Sequence, residues 1–185
     1  QWLEEVLPAS LYVRVPGTDA SASFSVGDRD RLKAIDGIAK IQFARTLDLT
    51  IEPERPSIEL IARTIDRSNP GAQLPITGAV LNAREQLNNC TMIYVSEPAS
   101  GLYNWQTGDR INLPLASEST NSNCFQVGAI WRDYARQSGA IAIDRNDFVA
   151  ITGDPAVSSA SIWLEDSAKD TDVIARIRTQ LDTLQ

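Results

Sequence analysis

The stretch Phe125–Asp154, FQVGAIWRDYARQSGAIAIDRNDFVAITGD, constrains the fold more than any other part of the chain. It reads as a strand, a polar corner, a second strand and a short helix. In the first strand, alternation places Phe125, Val127, Ala129 and Trp131 on one face. After the corner, Ala140–Ile143 reads as the second strand and Arg145–Ile151 as the helix, closed by a turn at Gly153-Asp154-Pro155. Two apolar strands followed by a helix need a sheet on which that helix can bury its apolar side.

The same grammar recurs on both sides. Leu11–Val15 reads as a strand stopped by Pro16-Gly17. Asp28 reads as the N-cap of a helix over 29–36, with Leu32 and Ile35 as its apolar face and Gly37 as its stop. Ile38–Phe43 is a strand, and Leu47, Leu49 and Ile51 alternate with polar neighbours as a half-buried strand does. Pro53 and Pro56 stiffen a turn, from which Ile58–Ile65 returns as the second arm of a long hairpin. Residues 66–89 are irregular, with a short helix expected near Asn82–Leu87. Thr91–Val95 is a strand, Glu97–Asn104 one or two helical turns with Pro98 tolerated at the start, and Gly108-Asp109 a turn. Ile111, Leu113 and Leu115 mark a strand that Pro114 assigns to a sheet edge. Ser159–Leu164 is the last strand. Asp170 or Thr171 caps a final helix with Val173, Ile174, Ile177, Leu181 and Leu184 on one stripe. The expected class is α+β (mixed α/β) with two lobes. Residues 1–89 with 137–185 form a discontinuous α/β lobe, and residues 90–136 form an inserted β-rich lobe.

Composition removes several functions. With 24 acidic against 17 basic residues the net charge is −7, so the basic footprint of a nucleic-acid or anionic-lipid binder is missing. No apolar run approaches the ~18 residues of a bilayer span. The chain starts without a signal-peptide pattern and without an initiator Met, and reads as a piece excised from a longer protein on both sides of a soluble region. It contains no histidine, which removes Ser-His-Asp and Cys-His catalysis and the usual zinc hydrolase sites. No GxxxxGK[ST] phosphate loop and no DxDxDG calcium loop is present. No catalytic residue, metal site or cofactor is expected in this domain.

What chemistry remains is concentrated in a few places. Cys90 and Cys124 each stand beside an expected strand. They read either as a disulfide contributing about 3–4 kcal/mol in an oxidising compartment, or as two unpaired thiols. Asp133, Asp144, Asp147 and Asp154 crowd a short span. They read as turn, cap and arginine partners, or alternatively as the paired acid and base of a secreted hydrolase. Trp131-Arg132-Asp133-Tyr134-Ala135-Arg136 is the densest polar-aromatic run. It serves either as a charge-fixed corner between lobes or as a recognition patch, since Trp, Tyr and Arg dominate binding hot spots. Tyr103 and Trp105 bracket Asn104 in a loop, as partner anchors or as a plug for their own lobe. Tyr103, Trp105, Arg132, Tyr134 and Arg136 are therefore the candidate contact residues.

The order of motifs over about Thr91–Leu164 resembles the periplasmic core domain of FtsX-like, MacB-like ABC transporter permeases. The carriers are Tyr94-Val95-Ser96-Glu97 leading to Leu102-Tyr103, the Gly108-Asp109 turn, Ile111-Asn112-Leu113, Phe125–Ile130 and the run Trp131–Gln137. The resemblance implies a domain facing the periplasm or cell exterior of a bacterium, tethered to the cytoplasmic membrane at both ends. It implies a cytoplasmic ABC ATPase acting through the parent permease, and a periplasmic protein or lipid-like substrate handled outside. It carries over no catalytic residue. The rival expectations are the carboxylate hydrolase and a freestanding protein-binding or sensor domain.

Overall fold

A computed structural model describes residues 9–15, 22–82, 84–115 and 124–182. In chain order the elements are β1 (Leu11–Arg14), α1 (Val26–Lys33), β2 (Ile38–Leu49), β3 (Ile58–Arg63), a 3-10 turn (Pro70–Ala72), β4 (Thr91–Ser96), α2 (Glu97–Tyr103), β5 (Arg110–Asn112), β6 (Cys124–Trp131), β7 (Ala140–Asp144), α3 (Arg145–Thr152), β8 (Ser159–Leu164) and α4 (Asp170–Asp182). The class is mixed α+β, as expected. The chain divides into two compact units, Gln1–Ala44 with Ala156–Gln185, and Arg45–Pro155. The expected boundaries at 89/90 and 136/137 differ from this division. Residues 90–136 do not form a sheet of their own, because β4 pairs with β7 and β7 pairs with β3.

In the first unit, β8 lies antiparallel between β1 and the Ile38–Ala44 part of β2. Alternation sends Ala160 and Ile162 inward, where Leu32 and Ile35 meet Val173 and Ile177 of α4. Helix α1 begins three residues earlier than Asp28 suggests. Ser25 is its N-cap and accepts from the Asp28 N–H at 3.1 Å, while the Asp28 carboxylate accepts from the Ser25 N–H at 2.8 Å. This reciprocal box uses Asp28 as its returning acid. Burial alone would raise the Asp28 pKa, but the Ser25 hydrogen bonds and Arg31, at 3.0 Å, hold it below the usual carboxylate value. Asp170 is the first residue of α4 rather than its cap. The Pro16-Gly17 stop and Leu184 lie outside the described residues, as does the side chain of Leu181.

The second unit carries strands in the order Arg45–Leu49 of β2, then β3, β7, β4, β6 and β5. The pairings alternate between antiparallel and parallel across it, from the β2–β3 hairpin to the β5 edge. β5 ends at Asn112, two residues before Pro114, as an edge strand does before a residue lacking an N–H. One face buries Leu60, Ile93, Val127, Ile141 and Ile143 beneath Ala99 of α2 and Phe148 of α3. The other buries Tyr94, Ala129, Trp131 and Ala142 beneath Leu74 and its neighbours, which come from coil. The expected helix near Asn82–Leu87 is a turn, held by the Asn82 side chain accepting from the Arg84 and Glu85 N–H groups.

β6 departs from simple alternation. Ile93 faces Val127 but Tyr94 faces Ala129, so Gly128 is the extra residue of a bulge. Phe125 and Val127 therefore join the helix-covered core, while Ala129 and Trp131 join the opposite one. A Cβ on Gly128 would overlap the Met92 side chain, with Cγ at 2.9 Å.

Two predictions follow from this packing. Gly139 has φ +80°, and a Cβ there would overlap the Ala99 amide and sit 2.8 Å from the Ala99 Cβ. Gly78 has φ +90° but open space around it. Gly139→Ala is expected to cost about 2–4 kcal/mol by denaturant titration, against about 1–2 kcal/mol for Gly78→Ala. Equal costs would refute the close approach of β7 to α2. Cys90 and Cys124 are disulfide-bonded, with a sequence separation of 34. Replacing both by Ala is expected to lower stability by about 3–4 kcal/mol, and a change under 1 kcal/mol would show that loop closure contributes little.

Candidate functional site

The five expected contact residues fall in two groups, one at each end of α2. The helix has 7 residues, too few to hold itself in water. It exists because Ser96 caps it, accepting from the Ala99 N–H at 3.4 Å, and because Asn104 ends it in the left-handed conformation at φ 56°. The Trp105 N–H then reaches the Ser100 carbonyl at 3.0 Å, and the Ser100 hydroxyl donates to the Trp105 carbonyl at 2.6 Å. This tight return stacks Trp105 on Tyr103, with ring centroids 4.4 Å apart and planes at 13°.

Arg55, on the β2–β3 turn, completes this aromatic ledge. Its guanidinium lies 5.0 Å from the Tyr103 ring centroid, donates to the Leu102 carbonyl and pairs with Glu52 at 2.7 Å. Both rings are half-buried and pack against the helix-covered core. The ledge is thus a plug and a surface at once. The Tyr103 hydroxyl is buried with no hydrogen-bond partner. Burial raises its pKa, and Glu52 adds to the rise against the opposing Arg55.

The second group lies on the β6–β7 connection. Trp131 is core, its indole N–H donating to the Tyr94 carbonyl at 3.3 Å. Arg132 points outward and forks onto Glu97, the first residue of α2, at 3.1 and 3.4 Å. Hydrogen bonding to Glu97, then to Tyr134, raises its pKa. Its guanidinium also lies 6.0 Å from the ring centroid of Tyr134, which is 56% exposed. Arg136 turns the other way and bridges Glu59 of β3 and Asp133, the latter at 3.1 Å. Burial would lower its pKa, but the two carboxylates outweigh that and raise it. About 10 Å of helix separates the two groups.

The four clustered carboxylates are each committed. Asp133 serves Arg136, and Asp147 pairs with Arg67. Asp144 caps α3 through the Asn146 N–H and also accepts from the Ile65 N–H. Asp154 accepts from Arg45 at 3.0 Å. That last pair was missed from sequence, although Arg45 occupies an inward position between Phe43 and Leu47 and is only 2% exposed. An inward cation on a half-buried strand requires a carboxylate partner. Glu59, Glu97 and Arg55 were also missed as partners of the expected residues. Among the described residues no three Asp, Glu or Cys side chains gather as a metal-binding group.

With this geometry in hand, the chain can be compared with known proteins. No protein-family model and no curated protein matches it in sequence. Its fold is that of the external domains of ABC transporters. It is similar to the periplasmic region of MacB from Actinobacillus actinomycetemcomitans, at 13% identity over 94% of this chain and 82% of that one, with a TM-score of 0.58. It is also similar to the extracellular domain of the noncanonic ABC-type transporter YknZ from Gram-positive bacteria, at 16% identity over 93% and 92%, with a TM-score of 0.54. The likeness read from motifs over Thr91–Leu164 extends, as a fold, across nearly the whole chain.

Glu59 and Asp133 have side chains 13% and 3% exposed, so removing Arg136 takes a guanidinium from two largely desolvated carboxylates. Arg136→Ala is expected to cost about 2 kcal/mol in a denaturant titration. Arg132→Ala, an exposed pair, should leave the midpoint nearly unchanged. The reverse ranking would overturn the assignment of Arg136 as the structural arginine.

Proposed function

We propose that this chain is a non-catalytic external domain of an ABC transporter permease, coupling ATP-driven motion of membrane helices to the handling of a partner or substrate outside the membrane. The observation that carries this reading is the fold likeness to the MacB and YknZ external domains over more than nine-tenths of the chain. Fold alone does not assign function, so the side chains must support it. They do so by what they are committed to: the clustered carboxylates serve caps and arginines, and aromatic and guanidinium groups occupy the surface. Such groups suit recognition better than bond cleavage.

In this reading the chain faces the periplasm or cell exterior of a bacterium, and the parent protein is anchored in the cytoplasmic membrane. A cytoplasmic ABC ATPase supplies the energy. The ledge of Tyr103, Trp105 and Arg55 and the exposed pair of Arg132 and Tyr134 touch a periplasmic protein or lipid-like substrate. Arg136 acts indirectly, by fixing the corner on which Arg132 and Tyr134 stand. The unpartnered Tyr103 hydroxyl favours a ledge that has a second arrangement, because a buried O–H without an acceptor costs about 1–3 kcal/mol. A rigid-body shift driven from the membrane could select that arrangement.

The test uses the full-length permease with its ATPase. Tyr134→Ala, Trp105→Ala and Arg132→Glu are expected to reduce transport or partner capture at least about tenfold, while the melting temperature of the domain stays within a few degrees for Tyr134→Ala and Arg132→Glu. Wild-type transport by all three variants would count against the contact assignment. A parent reading frame lacking membrane-spanning segments on either flank would remove the permease reading itself.

A further inference from the structure

The segment between β3 and β4 runs back along β6 and is fastened to it at intervals. The Arg132 N–H donates to the Pro75 carbonyl at 2.9 Å, the Thr77 N–H to the Ile130 carbonyl at 2.8 Å and the Leu81 N–H to the Gly128 carbonyl at 2.7 Å. Past Leu81 a side chain takes over, and the Leu87 N–H donates to the Gln126 amide oxygen at 2.9 Å. The last tie is covalent, from Cys90 to Cys124. Cys124 and Gln126 lie two residues apart on β6, before the bulge at Gly128, and therefore share one face of the sheet.

Gln126 is only 3% exposed, and its partners define which end of the amide is which. The oxygen faces an N–H, while the nitrogen donates to the Glu85 carbonyl at 3.2 Å and to the Gly108 carbonyl at 3.3 Å. One buried amide thus holds two separate turns against β6, the one leading to Cys90 and the one around Gly108. Cys90 is gripped from both directions. After it, Thr91 pairs with Phe125, and the parallel register sets Cys90 beside Cys124. Before it, the Cys90 N–H donates to the Leu87 carbonyl at 3.2 Å, and Leu87 hangs from Gln126. The ladder holds the downstream side of Cys90, and Gln126 holds the upstream side.

We propose that Gln126 is the positioning residue for the Cys90–Cys124 bond, and that the bond is a latch which opens and closes in the folded domain. With the bond open, the three Gln126 hydrogen bonds keep the turn before Cys90 in the arrangement that the bond requires. Closure is a two-electron exchange. The two thiols lose two electrons and two protons to a small-molecule disulfide, which leaves as two thiols. A disulfide that acts only through the unfolded chain gains nothing from a neighbouring side chain. Here the amide and the bond fasten the same segment, so each strengthens the other. The latch is independent of the transporter reading and of the ledge and corner described above.

The experiment equilibrates the folded chain with glutathione and glutathione disulfide, starting from the oxidised and from the reduced side, and counts thiols. Gln126→Met has similar volume and removes all three hydrogen bonds. It is expected to lower the equilibrium constant for bond formation at least about tenfold, a rise of about 30 mV in reduction potential. Ile141→Val, in the core of the second unit, destabilises the fold without touching the turn and should leave that constant unchanged. In the wild-type dithiol chain the Leu87 amide should stay protected from hydrogen exchange, and in the Gln126→Met dithiol chain it should exchange at least about tenfold faster. Where thiol exchange in the folded state is too slow, denaturant titrations with and without reductant give the same comparison. The disulfide should then raise the folding equilibrium constant at least about tenfold less in Gln126→Met than in the wild type. An unchanged constant in Gln126→Met, an equal fall in Ile141→Val, or loss of the fold on reducing the wild type would overturn the proposal.

Discussion

Five consecutive buried residues, Ala140–Asp144, are the constraint on which the second unit depends. β7 pairs parallel with β3 on one side and antiparallel with β4 on the other. A strand enclosed on both edges and both faces admits no polar side chain before its last residue, Asp144, whose carboxylate is satisfied by backbone N–H groups. It is short and apolar, and it is punctuated at each end by a residue with a second task. At its start Gly139 lets α2 approach closely, and the Ala140 N–H donates to the Ser96 hydroxyl at 2.8 Å. At its end Asp144 caps α3 and accepts from the Ile65 N–H. The cap of α2, the start of α3 and the exit from β3 are thus all referred to one strand.

Much of this was legible because the local rules and the global fold agree. The apolar run at 140–143, the Gly153 stop and the hairpin around Pro53 and Pro56 each have one inexpensive local solution, and the chain adopts it. The failures have equally specific causes. Alternation put Phe125 and Trp131 on one face, but a bulge at Gly128 reverses the parity halfway along β6. Only the pairing with β4 reveals that, because glycine in a strand signals a bulge without locating the partner that enforces it. Ser25 was overlooked as a cap because Asp28 is itself a good cap residue. The two share one capping box and cannot be ranked from composition. The boundary between units was misplaced because strand pairing over long sequence separations leaves no local mark.

Candidate side chains were legible by type and their partners were not. Arg132, Tyr134 and Arg136 announce themselves by density in one polar-aromatic run, and alternation correctly separates Trp131 from Arg132. Asp133, which Arg136 meets at 3.1 Å, lies in the same run, but the other carboxylates come from elsewhere in the chain: Glu97 is 35 residues from Arg132, and Glu59 is 77 residues from Arg136. Nothing in periodicity connects them. Arg45 is the instructive exception. Its inward position between apolar neighbours was visible, and elementary desolvation demands an acid nearby. The inward charge on a half-buried strand signals a carboxylate partner, which the fold supplies as Asp154.

The two groups at the ends of α2 share a mechanical consequence. The helix is too short to persist by its own hydrogen bonds, so its position is set by what grips it. Ser96 and the Glu97–Arg132 pair hold its first turn, and Arg55, through the Leu102 carbonyl and the Tyr103 ring, holds its last. At the start the Glu97–Arg132 pair is exposed and screened by solvent while Ser96 is fully buried, and the grip at the end combines stacking with burial against the core. Displacing Arg132 would therefore remove the solvent-screened contact of the first turn and leave the buried Ser96 cap and the aromatic ledge in place. In the function proposed above, an outside ligand that engages Arg132 would have to compete with Glu97 for the same guanidinium.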